Sequence, residues 1–147
     1  CMVNSTVQFL THLKNYVLSP SDIMVSFDVT SLFTNVPLKE TIDLIADYVY
    51  ASNSPHPIPN FDKDIFIKLL KKATGGMFMY KDKLYRQIDG VAMGGPLGPT
   101  LANFFLGHLE TKLFNGIDFG PSLYIRYVDD IFAVFSSVSD KVAFLII

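Results

Sequence analysis

The sequence predicts an α+β fold, an antiparallel sheet packed on helices, and three observations carry that expectation. Along the chain the hydrophobic patterning reads helix, strand, helix, helix, hairpin, helix, hairpin. The β-prone runs are joined mainly as hairpins rather than through the helical crossovers that a doubly wound parallel sheet requires. Half of the 147 residues are hydrophobic, enough for a packed core.

Each element has its own signal. Val7, Leu10, Leu13 and Val17 recur at helical spacing, which predicts a helix from Ser5 to Leu18 closed by Ser19-Pro20. Ile23 to Val29 is a short apolar run that fits a buried strand, with Asp28 near its C-terminal end. Ile42, Ile45 and Val49 define a second helix, and the proline-rich stretch from Ser52 to Asn60 reads as a loop. A third helix carries Ile65, Phe66, Leu69, Leu70 and Ala73, with Lys68, Lys71 and Lys72 late in it, where cations suit the helix dipole. Met77 to Tyr80 and Leu84 to Ile88 flank the polar tip Lys81-Asp82-Lys83, a hairpin pattern. Gly90, Gly94, Gly95, Pro96, Gly98 and Pro99 then make a glycine-rich loop that opens the helix bearing Leu101, Phe104, Phe105, Leu109 and Leu113. Leu123 to Tyr127 and Ile131 to Phe135 alternate around Val128-Asp129-Asp130 as a second hairpin, and Ser139 is placed to cap a helix expected to lie beyond these residues.

Composition excludes several classes. Charged residues make up 18 %, against roughly 25 % in an average globular protein, and mean hydropathy is +0.33, so a disordered or fibrous chain is excluded. The formal charge of −2 offers no overall basic surface for nucleic acid. A single cysteine, Cys1, rules out an internal disulfide and a cysteine-rich zinc site, and leans toward a reducing compartment. No apolar run approaches the ~20 residues of a membrane span, so no membrane partner is expected. The chain opens at Cys1 and closes on the apolar run Phe144 to Ile147, and we expect it to be a piece of a longer protein. His12, His56 and His108 share no ligand spacing. Met77 and Met79 are expected in the core, Glu110 and the lysines Lys68, Lys71 and Lys72 in solvent.

Chemistry concentrates at three carboxylates. Asp28 lies between Phe27 and Val29, and Asp129-Asp130 between Tyr127-Val128 and Ile131-Phe132. Ionised carboxylates buried among such neighbours cost several kcal/mol unless compensated, and Arg126 is the one base nearby in sequence. Hard oxygen donors without His or Cys suit Mg²⁺, and two such ions about 3.5–4 Å apart can activate a hydroxyl and steady a leaving phosphate. Taken singly, each aspartate is an ordinary turn or cap residue. The glycine-rich loop ahead of a helix N-terminus lets backbone approach a phosphate-bearing ligand closely, although alone it too reads as a tight turn. Their co-occurrence points to phosphoryl or nucleotidyl transfer.

SFDVTSLFTNVP (Ser26 to Pro37), DGVAMGGPLGPTLANFFL (Asp89 to Leu106) and RYVDDIFAVF (Arg126 to Phe135) resemble, in order, polymerase motifs A, B and C of reverse transcriptases, most of all those of Penelope-like retroelements, relatives of telomerase. The resemblance implies the palm sheet and part of the fingers of an incomplete right-hand polymerase over residues 1–147, with thumb and upstream fingers outside them. It implies RNA-directed DNA synthesis from dNTPs on an RNA template and DNA primer, two Mg²⁺ ions (Mn²⁺ as the alternative), and a nuclear location. Asp28 and Asp129 would hold the metals, with the Val29 carbonyl as a further ligand and Asp130 in support. Phe33 falls where the family places an aromatic gate against a ribose 2′-hydroxyl. Met93, Gly94 and Gly95 would lie under the incoming base and template, and Arg126 and Tyr127 near the primer end. Gly94-Gly95-Pro96 departs from the usual Gly-Ser-Pro. A different class of function, a catalytically silent retroelement remnant that binds nucleic acid or protein, is kept beside the enzyme.

Overall fold

The computed structural model describes residues 1–51, 62–117 and 119–145. The expected loop from Ser52 to Asn60 lies outside them. The chain forms two compact units, Cys1–Thr30 with Leu109–Ile147, and Ser31–His108.

The first unit is built on a three-stranded antiparallel sheet in the order β1 (Ile23–Asp28), β5 (Asp130–Phe135), β4 (Leu123–Tyr127). Cys1 to Val3 runs along the outer side of β4: the Val3 N–H donates to the Arg126 carbonyl at 2.9 Å, and the Arg126 N–H donates to the Cys1 carbonyl at 2.9 Å. That covers one sheet edge with backbone partners. Strand alternation divides the sheet into two faces. On one lie Ser26, Asp28, Asp130, Phe132, Ile125 and Tyr127, and the ring of Phe9 from α1 (Thr6–Lys14) meets Phe132 edge-on at 5.7 Å. On the other lie Phe27, Phe135, Tyr124 and Arg126, covered by α6 (Val138–Leu145) and the end of α5 (Gly98–Asn115) through Phe144 and Phe114. Val3, Ile125, Ala133, Val134 and Phe135 form its buried apolar core.

Two helix ends differ from the sequence reading. The Ser5 hydroxyl caps α1 by accepting from the Gln8 N–H, but the helix stops at Lys14 instead of Leu18. Asp22 offers its carboxylate to the Ser19 N–H and the Tyr16 hydroxyl, a local turn that competes with helical hydrogen bonding, and Val17 is left 90 % exposed. At α6 the cap is Ser137, whose hydroxyl accepts from the Asp140 N–H at 3.1 Å, rather than Ser139.

The second unit holds α2 (Leu32–Asn35), a short turn of helix without a sequence signal, then α3 (Leu38–Tyr50), α4 (Lys63–Thr74), the hairpin β2 (Met77–Tyr80) and β3 (Lys83–Arg86), the glycine-rich loop and the first part of α5. Leu32, Val36, Ile42, Ala46, Val91, Leu101, Ala102 and Leu106 are its buried apolar residues. Met77 and Met79, expected in the core, are each 70 % exposed, on a hairpin whose two strands are exposed along their whole length.

Candidate active site

The register of the first unit's sheet decides where the three aspartates stand. Asp28, last residue of β1, is the cross-strand partner of Asp130, first residue of β5, so both lie on one face at one end of the sheet. The ladder continues past the strand: the Val29 N–H donates to the Asp129 carbonyl at 3.1 Å. Residues a hundred positions apart in sequence are thereby fixed side by side through backbone. Tyr127 pairs with Asp130 across the turn and is 52 % exposed on the same face. A cavity of about 250 Å³ runs along this face, lined by Ser26, Tyr127, Asp130 and Phe132 among others.

The turn itself is strained. Val128 and Asp129 form a two-residue connection with Val128 at φ +55°, left-handed backbone that a β-branched residue seldom adopts. Such a conformation costs on the order of 1–3 kcal/mol and persists where surroundings over-determine it. Here they do: the Asp129 carbonyl is held by Val29, and the Arg126 guanidinium donates to the Val128 carbonyl at 2.9 Å.

That hydrogen bond belongs to a network that changes the role expected of Arg126. Strand alternation turns Arg126 away from the aspartate face, where it is 1 % exposed and ion-paired with Glu110 of α5 through Nε and a second guanidinium nitrogen at 3.2 Å. Tyr124 donates its hydroxyl to the same carboxylate at 2.8 Å. Burial, then the Glu110 charge and this hydrogen bond, push the Tyr124 phenol well above its ordinary value. Arg126 therefore holds the turn from behind rather than reaching toward a primer. Glu110, expected in solvent, anchors the network. Its signal in the sequence was indirect: a carboxylate in the mostly apolar α5 pattern, and a Tyr and an Arg two residues apart on one strand face.

Exposure corrects a second expectation. Asp28 and Asp130 are exposed and Asp129 is half-buried, so solvent meets much of the charge and burial alone demands no metal. Among the described residues no three His, Cys, Asp or Glu side chains are grouped as a metal site. In kind, the donors fit a hard divalent cation: two carboxylates at facing register positions, a third one residue away, and main-chain oxygens, with no softer ligand.

In the second unit the entrance of the glycine-rich loop is tied to the segment bearing Phe33. The Val91 N–H donates to the Phe33 carbonyl at 2.7 Å. Asp89 accepts from Gly90 N–H at 2.9 Å and from Leu38 N–H, the first residue of α3, at 3.1 Å, and these hydrogen bonds hold its carboxyl below the ordinary range. Asp89 is thus a cap for a helix some fifty positions earlier, which no local pattern announces. Gly90 has φ +74°, and a Cβ there would sit 2.8 Å from the Thr34 carbonyl oxygen, so only glycine fits. A Cβ on Gly98 would lie 3.7 Å from the Phe33 ring, which places that half-buried ring beside the start of α5. Met93 is 72 % exposed and Gly94, at φ +83°, has open space around it. Gly95 is half-buried, and a Cβ there would meet the Ala92 carbonyl oxygen at 3.3 Å.

With this geometry in place, the comparisons with known proteins are direct. Residues 4–146 match the family described as reverse transcriptase (RNA-dependent DNA polymerase). A comparison with curated proteins finds no match. Among solved structures, apo telomerase from Candida tropicalis, truncated from its C-terminal domain, is similar at TM-score 0.66 and 17 % identity over 95 % of this chain and 30 % of its own. Telomerase from Candida albicans in complex with a fragment of telomeric RNA is similar at TM-score 0.66 and 13 % identity, over 97 % of this chain and 28 % of its own. This chain therefore spans under a third of the length of those relatives, and at such identities the likeness is one of fold, that of the telomerase palm and fingers region. The chain belongs to the reverse transcriptase (RNA-dependent DNA polymerase) family.

Proposed function

We propose that this chain is the palm and adjoining fingers of an RNA-directed DNA polymerase of a Penelope-like retroelement, which adds dNTPs to a DNA primer on an RNA template. The observation that carries the reading is the pairing of Asp28 with Asp130 and of Val29 with Asp129 at one end of the sheet. Asp28 and Asp129 would hold two Mg²⁺ ions, or Mn²⁺, with the Val29 carbonyl and Asp130 in support. When bound, the ions would supply activation of a primer 3′-hydroxyl and stabilisation of the leaving pyrophosphate. The strained Val128 turn, locked by Arg126 and Glu110, sets the orientation of Asp129. Phe33 would press against the sugar of the incoming nucleotide and reject a 2′-hydroxyl, while Met93, Gly94 and Gly95 would run beneath base and template. Tyr127 is exposed where it can meet the primer end. A relative of the same fold solved with telomeric RNA supports RNA as a partner. The thumb and upstream fingers belong to residues outside these 147.

The test is primer extension by the complete polypeptide that contains this chain, on an RNA template with a DNA primer. Asp129→Ala is expected to abolish extension, and Phe33→Ala to admit ribonucleotides. Undiminished extension by Asp129→Ala overturns the mechanism. A second reading, a catalytically silent remnant that binds nucleic acid or protein, is separated from the first by the same assay. Wild-type extension excludes it.

A further inference from the structure

The hairpin of β2 and β3 carries none of the residues given a role in the proposed polymerase site, and its two faces are chemically distinct. Its register pairs Phe78 with Tyr85 and Tyr80 with Lys83, so these four side chains share one face. Phe78 and Tyr85 stack at 5.6 Å with planes 15° apart, and Tyr80 lies 6.4 Å from Tyr85. The rings remain open to solvent, with Phe78 54 %, Tyr80 57 % and Tyr85 43 % exposed. Lys81, in the turn, places its ammonium 5.3 Å from the Tyr80 ring centroid. The other face carries Met77, Met79, Leu84 and Arg86.

Charge chooses the occupant. The chain as a whole is slightly acidic, yet six of its twelve Lys and Arg residues, Lys68, Lys71, Lys72, Lys81, Lys83 and Arg86, fall between positions 68 and 86, where Asp82 is the one acid. Arg86 and Lys71 also line, with Lys39 and the Asp89 carboxylate, a cavity of about 480 Å³ beside the hairpin. An apolar protein partner would need no such concentration of cations. Exposed aromatic faces flanked by Lys and Arg are what successive unpaired bases and their phosphates require.

We infer that the Phe78, Tyr80 and Tyr85 face of this hairpin is a stacking platform for unpaired RNA bases, with Lys81 and Lys83 meeting the adjoining phosphates. The choice of RNA over DNA rests on the family reading; the platform itself rests on the hairpin alone.

The experiment measures fluorescence anisotropy of labelled oligo(rU), with oligo(dT) in parallel, on the full chain. The variant Phe78→Ala/Tyr80→Ala/Tyr85→Ala is expected to lose at least about tenfold in affinity, since each base–aromatic stack is worth that order. Met77→Ala/Met79→Ala, on the opposite face, is expected to stay within twofold. Lys81→Gln/Lys83→Gln is expected to lower the salt slope by about 1.4, two phosphate contacts' worth on a single strand. Circular dichroism of each variant separates lost binding from lost fold. Unchanged affinity of a folded ring variant, equal loss in the methionine variant, or tighter binding of oligo(dT) than oligo(rU) overturns the proposal. Because no catalysis is read, loss of binding in the ring variant sustains it even where primer extension is absent.

Discussion

The two hairpins of this chain are built from the same local plan and meet opposite fates. Each joins its strands through two residues with left-handed backbone at the first, Lys81-Asp82 in one and Val128-Asp129 in the other. In β2–β3 both turn residues are left-handed, and Asp82 tolerates that conformation well. Beyond its own ladder, that turn is supported by the Lys81 contact with Tyr80. In β4–β5 a valine takes the left-handed position, the less tolerant choice, and is held there by hydrogen bonds from Val29 and Arg126 to the turn carbonyls. Strain is kept where the surroundings impose it. The lesson is that hairpin geometry is local, while the precision a reaction needs comes from partners distant in sequence.

The largest expected effect breaks the anchor. Glu110→Ala leaves the Arg126 charge buried without its carboxylate and is expected to cost about 3–5 kcal/mol in urea denaturation. The double variant Glu110→Leu/Arg126→Met removes both charges and is expected to recover most of that loss. Recovery in stability without recovery in extension would show that the network serves the turn and not the fold alone.

The same contrast between held and open backbone recurs inside the glycine-rich loop. Gly90→Ala meets both a left-handed φ and carbonyl oxygens of Thr34 and Phe33 within 2.9 Å, and is expected to cost about 2–3 kcal/mol. Gly94→Ala meets the φ cost alone, about 1–2 kcal/mol, because nothing lies within 4 Å. Equal losses for the two in thermal denaturation would contradict the tie between the loop and Phe33.

A smaller effect is read through pH. The Tyr124 phenol is raised above its ordinary 10.0 in the folded state, so its contribution is complete below that pH and is lost as pH rises through the folded-state value. Alkaline denaturation is expected to weaken in Tyr124→Phe, at the cost of roughly 1 kcal/mol at neutral pH for the lost hydrogen bond. Asp89 works in the opposite direction. Its carboxyl is lowered, so its contribution holds above the ordinary 3.8 and disappears as pH falls through the folded-state value; Asp89→Asn is expected to flatten that acid limb. The smallest effect belongs to the open hairpin: Phe78→Ala is expected to cost under about 1 kcal/mol, the worth of one cross-strand aromatic pair.

Sequence patterning carried the elements well, because periodicity is a local signal. Both hairpins, the four longer helices and the position of Asp28 at a strand end follow from it, and the three motifs brought the family into view. What it missed depends on contacts at a distance. Glu110 and Arg126 are sixteen residues apart and become partners through the face that strand alternation gives Arg126. Asp89 caps α3 from fifty-one positions away. Met77 and Met79 carry an apolar pattern that reads as core, and exposure depends on whether another element arrives to cover them. The three aspartates sit among apolar neighbours in sequence and read as buried, yet a strand end and a hairpin turn are where a sheet exposes its residues, and what brings them together is the register of β1 and β5.

The most direct test of the central claim is site mapping by bound iron. Fe²⁺ placed at a magnesium-type site cleaves the nearby backbone through hydroxyl radicals when ascorbate and peroxide are added. The account predicts paired cuts, one beside Asp28 and Val29 and one beside Val128 to Asp130, both suppressed by excess Mg²⁺ and both lost in Asp28→Asn. Cuts at one segment without the other, or a pattern unchanged by that substitution, would contradict it.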